Sequence, residues 1–250
     1  MLNITPLKYF PQINIGDDLK EIIAEVVLKN QIEIKDGDIL VVTQKIVSKA
    51  EGQYISLKEI EPSLTALELA DETGKDPRLV QVILNESNEI VRKRPGVIIA
   101  EHRLGFICAN AGVDRSNLPF ATEEEVVLCL PKDPDKSARE IAQQFIDRNI
   151  GVLIIDSHGR AWRQGTVGIS IGTAGVPMLV NKIGDADMFD RTLKATLIAA
   201  ADQLAATAAL VMGEANEATP VVHVRGFPYN LRFDSAFSEI IRPKEKDLFR

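Results

Sequence analysis

The chain has 250 residues, 45% of them hydrophobic, and a formal net charge of −7. That length holds one large domain or two small ones with a full core. The acidic balance argues against nucleic acid or a membrane surface as partner, since both attract basic faces.

In chain order, Asp17 and Asp18 can cap a helix through DLKEIIAEVVLKN, whose Leu, Ile and Val recur at helical spacing. The turn KDGD leads into ILVV, too short for a helix and rich in branched residues, hence a buried strand. TQKIVSKAEG leaves it as an alternating, then polar, segment. SLTALELADETG and DPRLVQVILNES read as short helices, the second with Asp76 at its cap and Pro77 at its first position. GVIIA, GFICANAG and EVVLCLP read as strands around two cysteines, Cys108 and Cys129, both in apolar runs. Buried free thiols of this kind suit a reducing, cytoplasmic setting. DKSAREIAQQFIDRN has a capping-box pattern in Ser137 and Glu140.

GVLIID is the next strand, and the glycine-rich TVGISIGTAGV leans to β structure. The longest helix is expected over residues 187–212, ended by Gly213. PVVHVRG is a final strand. Residues 1–226 are expected to form the main folded unit, with room for two subdomains, and residues 227–250 a peripheral segment. Helices and strands mix without strict alternation, which favours an α+β (mixed α/β) fold over a doubly wound sheet. No basic leader opens the chain and no apolar run nears about 18 residues, so no membrane span is expected.

Three patterns compete for a function. GISIG places Ser170 at the centre of a nucleophile-elbow motif, with Asp185 or Asp187 and His223 following in hydrolase order. An elbow needs a helix directly after the serine, yet Gly172, Gly175 and Pro177 follow. No phosphate-loop or dinucleotide fingerprint occurs, and His102, His158 and His223 lack zinc spacing. What remains is a set of carboxylates where apolar segments end: Asp114, Asp156 and Glu214. If such acids converge they repel unless a cation such as Mg2+ or Mn2+ sits among them, and Ser157 can add a hydroxyl. Lys45, Lys49, Asn117, Arg160, Arg163 and Arg225 gather in loops, as phosphoryl chemistry requires. Each of these residues taken alone is more often a turn, a cap or a solvated face.

These segments resemble a known family, the coenzyme F(420)-0:L-glutamate ligases. The matching blocks are VVTQKIVSKAEG, GFICANAGVDRSN, LPKDPDKSA, VLIIDSHGRAWRQGTVGISIGTAGV and LVMGEANEATPVVHVRG, in the family's order. The resemblance implies a coenzyme F(420) gamma-glutamyl ligase-like fold of two closely interwoven subdomains in an intertwined homodimer. It further implies a GTP-dependent, GDP-forming ligase that activates the lactyl carboxylate of a 5-deazaflavin as an acyl phosphate. The amine of L-glutamate then attacks it. Two Mn2+ or Mg2+ ions per site and K+ are the implied cofactors. By motif match, Asp114 and Asp156 fall on first-metal positions, and Ser157 and Glu214 on second-metal positions. GTP is expected against Phe10, Pro11, Gln12 and Ile13, against Gln44, Lys45, Lys49 and Asn117, and against Met212, Gly213, Glu214, Ala215, Asn216, Glu217, Ala218 and Thr219. Arg160 and Arg163 are expected beside Asp114 and Asp156 in catalysis, and His158 as a candidate base for the glutamate amine. The same ligase chemistry on another acceptor, such as folate, and a silent binding homologue stay open.

Overall fold

A computed structural model describes residues 1–118 and 125–249 of the chain. From the N-terminus run β1 (Asn3–Pro6), α1 (Leu19–Lys29), β2 (Ile39–Thr43), α2 (Gln44–Ala50), β3 (Tyr54–Ser56), α3 (Leu64–Thr73) and α4 (Pro77–Asn85). Next come β4 (Ser87–Arg94), β5 (Val97–His102), β6 (Ile107–Ala109), β7 (Val126–Leu128) and α5 (Pro134–Gln143). The long strands β8 (Gly151–Arg160) and β9 (Arg163–Ala174) form a hairpin. β10 (Val180–Asn181), β11 (Leu197–Ile198), α6 (Ala200–Met212) and β12 (Val221–Arg225) complete the regular elements. The mixed α+β class expected from the sequence is the class observed.

The main sheet has the order β1-β12-β2-β8-β9, with β2 and β8 parallel and the other pairs antiparallel. ILVV of β2 is buried without a polar side, as a central strand covered on both faces must be. Helices α5 and α6 lie directly on β9, which explains its glycines. A Cβ at Gly168 would stand 2.6 Å from the Ala205 carbonyl oxygen of α6, and one at Gly172 would strike Pro134 of α5. A second apolar cluster, under α3 and α4, contains Leu69, Val80, Ile83, Ile98 and Val127. Phe237, in the segment after Gly226, is buried in the main core.

Several local expectations change. TQKIVSKAEG does not run extended: Gln44–Ala50 is helical and buries Gln44, Ile46, Val47, Ser48 and Lys49. A short helix buried on most sides shows no polar stripe, so periodicity could not reveal it. The helix expected over residues 187–212 begins only at Ala200. Before it, β10 and β11 pair as a ribbon. There Asp187 Oδ1 accepts from the N–H groups of Phe189 (2.8 Å) and Arg191 (2.9 Å), a side-chain competition that holds the backbone in a turn. Helix α5 is capped by Asp133, which accepts from Lys136 N at 2.9 Å, with Pro134 leading. Ser137 therefore lies inside the helix and turns its hydroxyl to Glu51. Gly213 does end α6, at φ 78°.

Beside β2, buried Asp38 ties two strands together. Its carboxylate accepts from His223 Nε2 at 2.9 Å and from Arg225 Nε and Nη2 at 2.8 and 2.6 Å, both residues of β12. Burial alone would raise its pKa, but Arg225, His223 and the Lys35 N–H outweigh it and hold the carboxyl below its ordinary value. A depressed folded pKa means stability present above the unfolded pKa and lost as pH falls through the folded one. Asp38→Ala is expected to lower the unfolding free energy by about 2–3 kcal/mol in urea melts at neutral pH, because it leaves the buried His223 ring N–H and the partly exposed Arg225 guanidinium without their acceptor. The gap to wild type should shrink as pH falls below about 4. Equal stability at neutral pH would contradict this role.

Candidate active site

Pairing between β2 and β8 stops at Thr43 and Ile155. β2 turns at once into α2, while β8 continues to Arg160 paired only with β9. Past Ile155 the flank of β8 that faced β2 has no strand paired to it among the described residues. Ligands in open sheets of this kind bind beyond the carboxyl ends of parallel strands. Here that position is a cleft of about 950 Å3.

The cleft gathers residues from distant parts of the chain. It is lined by Phe10, Pro11, Gln12, Ile13, Gln44, Lys45, Lys49, Asp114, Asn117, Asp156, Ser157 and every residue of the 212–219 loop. Arg160 and Arg163 are not in its lining. They face each other at the far end of the hairpin, exposed, and Arg160 Nη1 donates to the Gly165 carbonyl at 3.1 Å. A strand advances about 3.3 Å per residue, so closeness to Asp156 in sequence carries Arg160 past the opening.

The carboxylates are linked by consecutive side chains. Lys45 Nζ lies 2.6 Å from Asp114 Oδ2 and donates to the Ser116 hydroxyl at 2.6 Å. Its neighbour Gln44 donates from Nε2 to Asp156 Oδ1 at 3.3 Å. His158 Nε2 stands 2.8 Å from Asp156 Oδ2, and the Ser157 hydroxyl donates to Glu214 Oε1 at 2.7 Å. Lys49 Nζ donates to the Asn117 carbonyl at 2.7 Å. Thr219 Oγ1 closes the 212–219 loop onto the Met212 carbonyl at 2.8 Å. Among the described residues, no group of three Asp, Glu, His or Cys side chains is close enough to hold one ion together. The three acids share a cleft, but N–H and O–H donors separate them.

Burial would raise the Asp114 carboxyl, but Lys45 and the Ser116 hydroxyl and N–H outweigh it and hold it below its ordinary value. Lys49, only 7% exposed, is pushed down by burial first and by the Lys45 charge second. Cys108 lines the cleft, yet burial and the nearby Asp156 charge push its thiol up to about 12, so it is no nucleophile at neutral pH. The donors Ser48, Ser116 and His158 were not anticipated as partners of Gln44, Asp114 and Asp156. Ser48 lies four residues after Gln44, a spacing that becomes informative only once α2 is known to be a helix.

The hydrolase alternative does not survive. Ser170 is buried inside β9, which runs on to Ala174 with no helix after the serine. Its hydroxyl donates to Asp202 Oδ1 at 2.6 Å, while His223 is committed to Asp38. Among the described residues no helix is long and apolar enough to cross a membrane.

Comparison with known proteins gives a consistent result. The family model described as F420-0:Gamma-glutamyl ligase matches residues 8–226. A protein of Methanothermobacter thermautotrophicus named coenzyme F420:L-glutamate ligase is 43% identical over 253 residues, covering 100% of this chain and 99% of the relative. Proteins of the same name from Methanopyrus kandleri and Archaeoglobus fulgidus are 47% and 37% identical, each over 100% of this chain and over 98% and 96% of their own lengths.

A fluorophosphonate probe is expected to leave Ser170 of the native protein unlabelled, and DTNB to leave Cys108 and Cys129 unmodified near neutral pH until the chain is unfolded. Peptide mass spectrometry reads both. Rapid labelling of Ser170 or of either thiol in the folded protein would contradict the burial described.

Proposed function

The chain belongs to the F420-0:gamma-glutamyl ligase family, and we propose that it joins L-glutamate by amide bonds to the deazaflavin precursor F(420)-0 at the expense of GTP. The observation that carries this reading is the convergence of Asp114, Asp156 and Glu214 with Lys45 and Lys49 on one cleft. Its volume lies near the top of the usual range for ligand pockets, about 300–1,000 Å3, which suits two bulky anionic substrates.

In this reading GTP lies along the 212–219 loop and residues 10–13, with its phosphates toward Lys45 and Lys49. Lys49 is buried against a carbonyl, which leaves its charge undercompensated, and a phosphate would supply the missing anion. Asp114, Asp156, Ser157 and Glu214 offer only oxygen, the donor type of Mg2+ and Mn2+, so the residues present fit two such ions despite their separation. When bound, these cations would neutralise charge on the transferring phosphoryl group and align it. The γ-phosphoryl of GTP passes to the substrate carboxylate, giving an acyl phosphate and GDP. The glutamate amine attacks the acyl carbon and inorganic phosphate leaves. The chain's own contribution is positioning and charge compensation rather than a covalent nucleophile. Arg160 and Arg163 have no contact assigned in this scheme. The proposal includes a homodimer, supported by the exposed apolar side chains Ile183, Met188, Phe189 and Leu197 on and around the β10–β11 ribbon.

Incubation with GTP, Mn2+, L-glutamate and either the deazaflavin precursor or folate, followed by mass spectrometry, tests the assignment. One-glutamate increments are expected on the deazaflavin, falling at least about a hundredfold in Asp114→Ala and Asp156→Ala proteins of unchanged melting temperature. Increments on folate alone would move the acceptor. Full activity in either variant would overturn the proposed roles of these acids.

A further inference from the structure

Side chains alternate along a strand, so Asp156 and His158 of β8 share a face, with Ser157 between them on the other. The His158 Nε2 to Asp156 Oδ2 distance is 2.8 Å. An ionised carboxylate only accepts hydrogen bonds, so the ring donates through Nε2–H. The imidazole is not placed to swing away. It is 6% exposed and lies against Phe106, with ring centroids 5.2 Å apart at 38°. Phe106 is wedged in turn by His102, stacked at 5.1 Å, and by Phe237, edge-on at 5.7 Å. The other carboxylate oxygen is held from the opposite direction. Gln44 Nε2 donates to Asp156 Oδ1 at 3.3 Å, and the fully buried Ser48 hydroxyl donates to Gln44 Oε1 at 2.9 Å. The acceptor-only carboxylate fixes which end of the amide faces it, and the Ser48 hydroxyl donates to the oxygen left at the other end.

We propose that His158 is a positioning residue for Asp156: its Nε2–H pins Oδ2 while Gln44 pins Oδ1, so that the carboxylate offers its remaining lone pairs to a divalent cation in the cleft. The inference rests on the reading of Asp156 as a cation ligand. His158 then acts through Asp156, by the hydrogen bond that its Nε2–H donates to Oδ2. Outer partners of ligating groups typically contribute about 10–100-fold to metal affinity.

The test is Mn2+ titration into the purified protein, with free Mn2+ followed by electron paramagnetic resonance and melting temperature as the check on folding. His158→Phe keeps a ring against Phe106 and removes the donor. His158→Gln restores a side-chain N–H at similar reach. His158→Phe is expected to weaken Mn2+ binding by about tenfold, and His158→Gln to recover most of that loss. Should His158→Phe perturb folding, His158→Leu provides the same comparison. Wild-type affinity in the Phe or Leu protein, or a Gln protein as weak as the Phe protein, overturns the proposal. An Asp156→Ala protein that binds Mn2+ like wild type would instead remove the cation-ligand reading itself, an outcome independent of His158.

Discussion

Carboxylates that share a cleft repel one another unless each meets a donor or a cation. Here that constraint is met locally and in sequence order along α2 and β8. Lys45 compensates Asp114, Gln44 and His158 hold Asp156, and Ser157 holds Glu214. Adjacent residues of one helix, Gln44 and Lys45, reach Asp156 and Asp114, and adjacent residues of one strand, Ser157 and His158, reach Glu214 and again Asp156. A chain of net charge −7 can in this way bring three acids and the cationic Lys45 and Lys49 to one cleft. Under the proposed function, cations and phosphates would complete the charge balance there.

The sheet makes this arrangement possible. β2 and β8 are parallel, so their carboxyl ends reach the same edge, and the abrupt change from β2 to α2 opens the flank of β8 where the acids begin. Behind the cleft, the sheet is locked by features that tolerate little change. Asp38 clamps β12, and glycines of β9 admit α5 and α6 at backbone contact. Rigid strand ends are the better platform for polar groups that must hold position, and the loops at residues 10–13 and 212–219 supply the more adaptable walls.

Much of this was legible in the sequence, and the failures have identifiable causes. The acids stood out because Asp156 closes a run of four apolar residues and because Glu214 follows a helix-stopping glycine, although β8 does not end at Asp156 but continues to Arg160. Helix α2 was invisible because nearly all its residues are buried, so the polar and apolar sides that mark a surface helix are missing. The 187–212 segment looked helical through its alanines, but Asp187 traps a turn before them. Arg160 and Arg163 were placed by nearness along the chain, which an extended hairpin converts into distance. The partners of the acids, Ser116 and His158 above all, could not be read because hydrogen bonds across a cleft leave no pattern in a linear sequence.

The most direct measurement is anomalous diffraction at the manganese edge from crystals grown with Mn2+ and a non-hydrolysable GTP analogue. Two peaks are expected in the cleft, with oxygen ligands drawn from Asp114, Asp156, Ser157 and Glu214 at about 2.1 Å, the distance typical of small divalent ions. Nucleotide bound with no ion touching any of these four residues would contradict the assignment of the cleft as a cation-dependent phosphoryl-transfer site.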